Sequence, residues 1–178
     1  MNPLLGIWQL ARGRAQGMAR FGSTTQAFLA SLAPLIAFPL VGAVIVLMRE
    51  GALAAFLLFT VTLIAQLAPP VLSHALAAWW GREQQWLHYA TAYNWCYWAL
   101  PVVLVLLMTL FGVVATATGM PEMLAAQAVV VLLAAYSLWL HWFLARHGLG
   151  LSRGRAALLV VIVNAGTLAL AFGPRFLV

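Results

Sequence analysis

Five long apolar stretches, separated by short polar connections, set the pattern of this chain. They cover residues 27–48, 52–80, 86–116, 121–145 and 155–172. A helix needs roughly 20 apolar residues to cross the hydrocarbon core of a bilayer, and each stretch is close to that length or longer. The pattern predicts an all-α polytopic membrane protein, in which residues 27–178 form one bundle of five transmembrane helices.

The first 26 residues follow a different pattern. Apolar residues recur at steps of four and three, at Leu4, Trp8, Ala11, Ala15 and Met18. Polar residues would take the opposite face of a helix, at Gln9, Arg12, Gln16 and Arg20. This two-faced pattern is typical of a helix that lies in the membrane plane. We therefore expect residues 1–26 to be an interfacial amphipathic segment on the cytoplasmic face.

The composition agrees with a membrane environment. Only 7% of the residues are charged and the mean hydropathy is +1.01, whereas soluble domains carry about 25% charged residues. The net charge of +6 is better explained by contact with lipid head groups than with nucleic acid. The expected partner is thus the lipid bilayer, and nucleic acid is not expected.

The arginines give an orientation. If the N-terminus is cytoplasmic, seven of the nine basic residues fall inside and two, Arg49 and Arg175, fall outside. The inner set is Arg12, Arg14, Arg20, Arg82, Arg146, Arg153 and Arg155. Because basic residues concentrate in cytoplasmic connections, we expect the N-terminus in the cytoplasm and the C-terminus in the periplasm. The absence of lysine and the many alanines indicate a GC-rich bacterium, and hence the bacterial inner membrane.

The aromatic residues gather on the same side. Six of the eight tryptophans are expected there: Trp8, Trp79, Trp80, Trp86, Trp139 and Trp142. Tryptophan prefers head-group depth, so this set predicts an interfacial aromatic belt.

Three histidines are the candidates for chemistry. His74, His88 and His141 would each lie about 7–9 Å inside a helix end on the cytoplasmic side. Three imidazoles at one depth are a pattern that can bind a metal or a haem, or line a quinone site. No carboxylate lies at that depth to orient a ligating imidazole. We expect no metal and no cofactor, and keep haem or quinone binding as an alternative.

Polar side chains inside the apolar stretches predict contacts between helices. Asn94 and Asn164 should face the bundle interior, where each amide needs a hydrogen bond and each could meet the other. Four more candidates share this role: Gln66, Ser73, Tyr93 and Tyr97. Together these side chains either satisfy one another or wall a polar pocket.

No catalytic motif is present in the sequence. The three acids, Glu50, Glu83 and Glu122, all fall in connections, so no carboxylate pair or intramembrane proton relay is indicated. Cys96 is the only cysteine, which rules out an intrachain disulfide. We expect a protein without enzymatic activity.

One part of the chain resembles a known family. The second stretch ends in LSHALAAWWG and the third begins QQWLHYATAYNWCYWALP, within residues 71–103. This segment and the five-span layout resemble the bacterial branch of the Yip family of membrane proteins, although the family's Gly-Gly after span two is here Gly81-Arg82. The resemblance implies a five-helix fold and no catalytic site. Its eukaryotic members act through partners in membrane traffic, and for bacterial members it implies no defined activity.

The expected function is that of an accessory or scaffolding subunit, or of a protein that organises the membrane. Such a protein would associate with another membrane protein or with itself. Two alternatives remain: a small electron-transfer subunit that holds haem, metal or quinone at the histidines, and a component of an oligomeric channel or transporter.

Overall fold

The structure, a computed structural model, describes residues 2–173, and within them all regular secondary structure is helical. Seven α-helices and one 3₁₀ helix follow one another along the chain. Their bounds are α1 Pro3–Ala11, the 3₁₀ helix Ala15–Arg20, α2 Thr25–Glu50, α3 Ala52–Trp79, α4 Glu83–Trp98, α5 Leu100–Thr118, α6 Glu122–Gly148 and α7 Arg153–Phe172.

The prediction of five apolar membrane-spanning helices is confirmed. Five segments of this structure are long and apolar enough to cross a bilayer: α2, α3, the α4–α5 unit, α6 and α7. The chain is therefore a multi-pass membrane protein. Arg175, which contributed to the orientation argument, lies outside the described residues.

Local signals explain where several helices begin. Asn2 accepts a hydrogen bond from the Leu5 amide, and Thr24 and Ser152 do the same for Ala27 and Arg155. A side-chain oxygen at the N-cap satisfies an amide that the helix itself cannot. Gly51 forms the tight turn between α2 and α3 with a φ of 94°, which favours glycine.

The third span is two helices instead of one. α4 has 16 residues and α5 has 19, and the chain breaks between them at Ala99. Pro101 stands in the first turn of α5, where a missing amide hydrogen costs nothing. The other prolines in spans, such as Pro34, Pro39 and the Pro69-Pro70 pair, remain inside continuous helices.

We call the end of the bundle where α3 ends and α4 begins the aromatic side. The long helices form a row in the order α2, α3, α7, α6, α5. On the aromatic side, α4 lies against α2, α3 and α6, and its middle, residues 89–94, is buried. α5 leaves this centre and, within residues 2–173, it contacts only α6 and the adjoining α4.

The N-terminal segment differs from the single two-faced helix that its pattern predicted. α1 ends at Ala11, the chain turns at Gly13 with a φ of 71°, and the 3₁₀ helix folds back against α1. The side chains that pack inward are Leu10, Met18 and Phe21, whereas Leu4 and Trp8 are exposed. The reversal at Gly13 breaks the continuous helix face that residues 4–18 would otherwise share.

Candidate functional site

Tyrosines line one stripe of the central helix α4. Tyr89, Tyr93 and Tyr97 are spaced by four residues, so they lie one above another on the same face. The rings of Tyr93 and Tyr97 stack with centroids 4.0 Å apart. The Tyr97 hydroxyl donates to the Ser137 carbonyl oxygen of α6 at 3.0 Å. This stripe therefore turns toward α6.

His141 of α6 meets the stripe and is fully buried. Its Nε2 lies 2.9 Å from the Tyr89 hydroxyl, and its Nδ1 lies 3.1 Å from the Asn164 side-chain nitrogen on α7. The ring of Tyr93 packs 4.8 Å from the imidazole centroid. We call Tyr89, Tyr93, Tyr97, His141 and Asn164 the histidine–tyrosine cluster.

The hydrogen-bond pattern assigns the tautomer of His141. The Asn164 amide nitrogen has two hydrogens and no acceptor capacity, and it also donates to the Val160 carbonyl at 2.7 Å. His141 Nδ1 is therefore the acceptor and Nε2 carries the proton, which it donates to the Tyr89 hydroxyl. Both ring nitrogens are engaged, so the imidazole offers no free lone pair for a metal or a haem iron unless the Asn164 contact is broken.

Asn94 lies elsewhere in the interior. It is completely buried on α4, and its amide nitrogen donates to the Ser31 hydroxyl of α2 at 2.9 Å. Asn94 and Asn164 thus bond to different helices and not to each other. The Asn94 oxygen has no hydrogen-bond partner among the residues that the structure describes, although buried carbonyl oxygens usually have one.

Ser73 connects α3 with α4. It is buried, donates to the Pro70 carbonyl at 3.0 Å and accepts from the Trp86 indole at 3.2 Å. Gln66, the other polar candidate on this helix, is half-buried and lies about one turn before Pro70 in α3. Four of the six predicted interhelical polar residues form a hydrogen bond to a neighbouring helix: Asn94, Asn164, Ser73 and Tyr97.

The three candidate histidines do not come together. His74 Nε2 lies 3.5 Å from the Glu83 carboxylate, and His88 Nε2 donates to the Met18 carbonyl at 2.8 Å. His141 is enclosed in the cluster. Within residues 2–173, no group of three His, Cys, Asp or Glu side chains is placed to hold a metal ion.

The tryptophans at the aromatic side have two kinds of environment. Trp79 is 76% exposed and stacks on Trp80 with centroids 6.1 Å apart. Trp8 and Trp139 are also exposed, and Trp142 donates its indole hydrogen to the Arg153 carbonyl. Trp86 differs, because it is half-buried between Phe28 and His74. Trp86 is thus part of the packing between helices as well as of the aromatic belt.

A cavity of about 440 Å³ opens beside Trp86. Its walls are apolar, from α2 and α3, and His74 provides their one imidazole. A cavity of this size can hold part of a small amphiphilic ligand. It is separate from the histidine–tyrosine cluster, since the two share no lining residue.

Sequence reasoning missed the central contact of the site. Tyr89 and His141 were each visible as polar aromatic residues in a span, but no local signal in the sequence pairs them. It also missed the bond between His88 and Met18, which joins residues 70 positions apart. Such contacts depend on the rotation of each helix about its own axis, which hydropathy alone does not define.

Comparisons with known proteins identify no relative of this chain. No family model, no curated protein and no solved structure matches it.

Proposed function

We propose that this chain is a non-enzymatic integral membrane protein that acts as an accessory or scaffolding subunit. The observation that carries this proposal is the one-sided packing of α5, which has α6 as its only long neighbour in the described chain. The outward face of α5 is apolar and exposed, with Val102, Val105, Leu106 and Val113 between 52% and 64% accessible. This face is available to a helix of another membrane protein.

The internal use of the polar side chains supports the same proposal. His141, Asn164 and Tyr89 hold one another across three helices, and Asn94 holds α2 to α4. Groups used in this way contribute to packing between spans, where hydrogen bonds are worth about 0.6 kcal/mol on average. We therefore assign these residues a structural role.

We further propose that the protein is placed in a bacterial inner membrane with its aromatic side toward the cytoplasm. The positive charge of the α3–α4 and α6–α7 connections and of the N-terminal segment supports this orientation. The resemblance to the Yip family remains part of the proposal. It is supported by a third span that is rich in aromatic residues ahead of Pro101.

Position-specific crosslinking tests the partner surface. A photoreactive amino acid would replace Val105 or Val113 on α5, and Val161 on α7 would be the matched control because it is equally exposed. In native membranes we expect one discrete protein adduct from both α5 positions and none from Val161. Adducts with a second copy of the chain would make the partner the protein itself. Lipid adducts alone at all three positions would refute the proposal.

A second candidate function is favoured by the cavity beside Trp86. An aromatic wall with His74 at its edge suits the ring of a quinone, which would make the chain an electron-transfer subunit. An organic extract and an absorption spectrum of the purified protein separate the two functions. A stoichiometric quinone or a haem band would favour electron transfer, and their absence would leave the scaffolding function.

A further inference from the structure

The N-terminal segment forms a platform that is fixed to the side of the bundle. We define the N-terminal platform as α1 and the 3₁₀ helix. Leu10 is completely buried, the Tyr136 hydroxyl of α6 donates to the Ala11 carbonyl at 3.1 Å, and His88 of α4 donates to the Met18 carbonyl. These contacts come from three points along the platform, so its position on the bundle is defined.

The platform carries positive charge without an internal counter-charge. Arg12, Arg14 and Arg20 are exposed, and residues 1–49 contain no acid. The one ion pair among the described residues joins His74 to Glu83. The other two acids, Glu50 and Glu122, are at the opposite side of the bundle, where α2 ends and α6 begins. The arginines of the platform therefore have no acidic partner among the described residues, and an anion from outside the chain can pair with them.

An apolar crevice lies under the same platform. It has a volume of about 240 Å³. Trp8 and Ala11 line it from α1, Cys96 and Val103 from the α4–α5 break, and Leu140 from α6. Pockets that enclose a whole small ligand measure roughly 300–1,000 Å³, so this crevice fits part of a chain. Its apolar lining suits a lipid tail better than a polar ligand.

Trp8 contacts both the apolar crevice and the positively charged Arg12. Trp8 lines the crevice, and the Arg12 guanidinium lies over the Trp8 ring, 3.7 Å from its centroid. An arginine that stacks on an indole is held in place by the ring and keeps its donors free at the edge. The Arg12 guanidinium and the apolar crevice are thus adjacent. The guanidinium suits the charged head group of an anionic lipid, and the crevice suits its tail.

We propose that the N-terminal platform is a binding site for one anionic phospholipid. The lipid phosphate pairs with the Arg12 guanidinium, with Arg14 adding charge, and part of one acyl chain enters the crevice under Trp8. Arginine binds phosphate oxygens through paired hydrogen bonds, which a zwitterionic lipid satisfies less well because its own cation competes. This inference goes beyond the scaffolding function and does not depend on it.

Native mass spectrometry of the full-length protein in a neutral detergent tests the site. Phosphatidylglycerol and phosphatidylcholine with the same acyl chains would be added separately, and bound lipid counted. We expect one phosphatidylglycerol to bind at least about tenfold more tightly than phosphatidylcholine. A basic residue near an anionic lipid contributes about fivefold in affinity, so Arg12→Gln with Arg14→Gln should weaken binding about 25-fold.

The matched control is the double variant Arg153→Gln with Arg155→Gln. It removes the same charge from exposed positions in the first turn of α7, also on the aromatic side. We expect it to change the affinity less than about threefold. If it weakened binding as much as the platform variant, or if the two lipids bound equally, the specific site would be refuted.

A second pair of measurements separates the lipid tail from its phosphate. Val103→Phe lies on α5, outside the platform, and would narrow the crevice without changing charge. It should weaken phosphatidylglycerol binding whether or not the arginine variant disturbs docking. Glycerol phosphate, a soluble head group without a tail, should not displace the lipid. If it does displace the lipid, or if Val103→Phe has no effect, the platform binds only a phosphate and the proposal fails.

Discussion

His141 joins three helices because each of its ring nitrogens has a partner on a different helix. Tyr89 belongs to α4 and Asn164 to α7, while the histidine itself belongs to α6. The imidazole is enclosed, so water cannot replace either partner. A polar group that is removed from such a site leaves the remaining groups unsatisfied, and that loss is usually larger than the value of the bond itself.

His141→Leu should therefore destabilise the protein. Leucine cannot accept from Asn164 or donate to Tyr89, whereas Asn164 keeps its bond to the Val160 carbonyl. We expect a loss of about 2 kcal/mol in the free energy of unfolding, since the buried Tyr89 hydroxyl and the Asn164 amide each lose a hydrogen-bond partner, at about 1 kcal/mol each. Unfolding in a mixed detergent, followed by circular dichroism, measures the change.

His147→Leu is the control for this prediction. His147 is on the same helix, but it is exposed and its Nδ1 donates only to the Phe143 carbonyl one turn before it. Its replacement should cost less than about 0.5 kcal/mol, as is usual for surface positions. Equal losses for the two variants would show that the His141 bridge contributes nothing specific.

For single residues, the sequence predicts which polar side chains face the protein interior better than it predicts their hydrogen-bond partners. An amide in an apolar span must avoid lipid, so the expectation that Asn94 and Asn164 face protein follows from elementary physics. The choice of Ser31 for one and His141 for the other does not follow. It depends on which helices are neighbours and how each is rotated, and the pairs are 63 and 23 residues apart along the chain.

At the scale of elements, the third span shows what length can and cannot predict. The α4–α5 unit has 36 residues and would be about 54 Å long, well above the roughly 30 Å of the hydrocarbon core. α5 alone, with 19 residues, reaches about 28 Å and is sufficient to cross it. The more polar α4 is free to fill the centre of the bundle on the aromatic side. Pro101 suits the first turn of α5, but a proline in the sequence does not show that the chain changes neighbours there.

The platform depends on two glycines that bring α1 and the 3₁₀ helix together. A Cβ at Gly17 would lie 2.8 Å from the Gly6 carbonyl oxygen, which is backbone and cannot rotate away. Gly17→Ala should force the two helices apart, with an overpacking cost of about 1–3 kcal/mol. We expect faster trypsin cleavage after Arg12 and Arg14 in reconstituted protein.

Gly42→Ala provides the comparison for that experiment. Gly42 lies inside α2, and nothing stands within 4 Å of the position where its Cβ would be. Alanine is also the better helix former by about 1 kcal/mol, so this variant should be cleaved at the rate of the unmodified protein. If Gly17→Ala were cleaved no faster than Gly42→Ala, the close approach of the two helices would not hold the platform in place.

At the scale of the whole molecule, charge and aromatic residues concentrate at one end for a common reason. The interior of a bilayer excludes charge, and its interface attracts both arginine and tryptophan. The Trp79-Trp80 pair and Arg82 follow one another in the connection from α3 to α4. The Arg82 guanidinium reaches within 3.9 Å of the position of a Cβ on Gly150, so the two connections of this side lie together.

The orientation of the aromatic side can be tested by adding one cysteine at a time. The native Cys96 is only 2% exposed and should not react with a maleimide. Gln84→Cys places a thiol at the exposed start of α4 on the aromatic side, and Glu50→Cys places one at the exposed end of α2 on the opposite side. In intact bacterial cells, a membrane-impermeant maleimide should label Glu50→Cys and leave Gln84→Cys unlabelled. After the cells are lysed, both should react, which shows that each thiol is accessible.

The expected labelling follows from the positions of the arginines. Moving the aromatic side to the periplasm would place Arg82 and Arg153–Arg155 outside, against the bias toward cytoplasmic basic residues that orients membrane proteins. Labelling of Gln84→Cys alone in intact cells would reverse the assignment, and with it the leaflet in which the N-terminal platform meets its lipid.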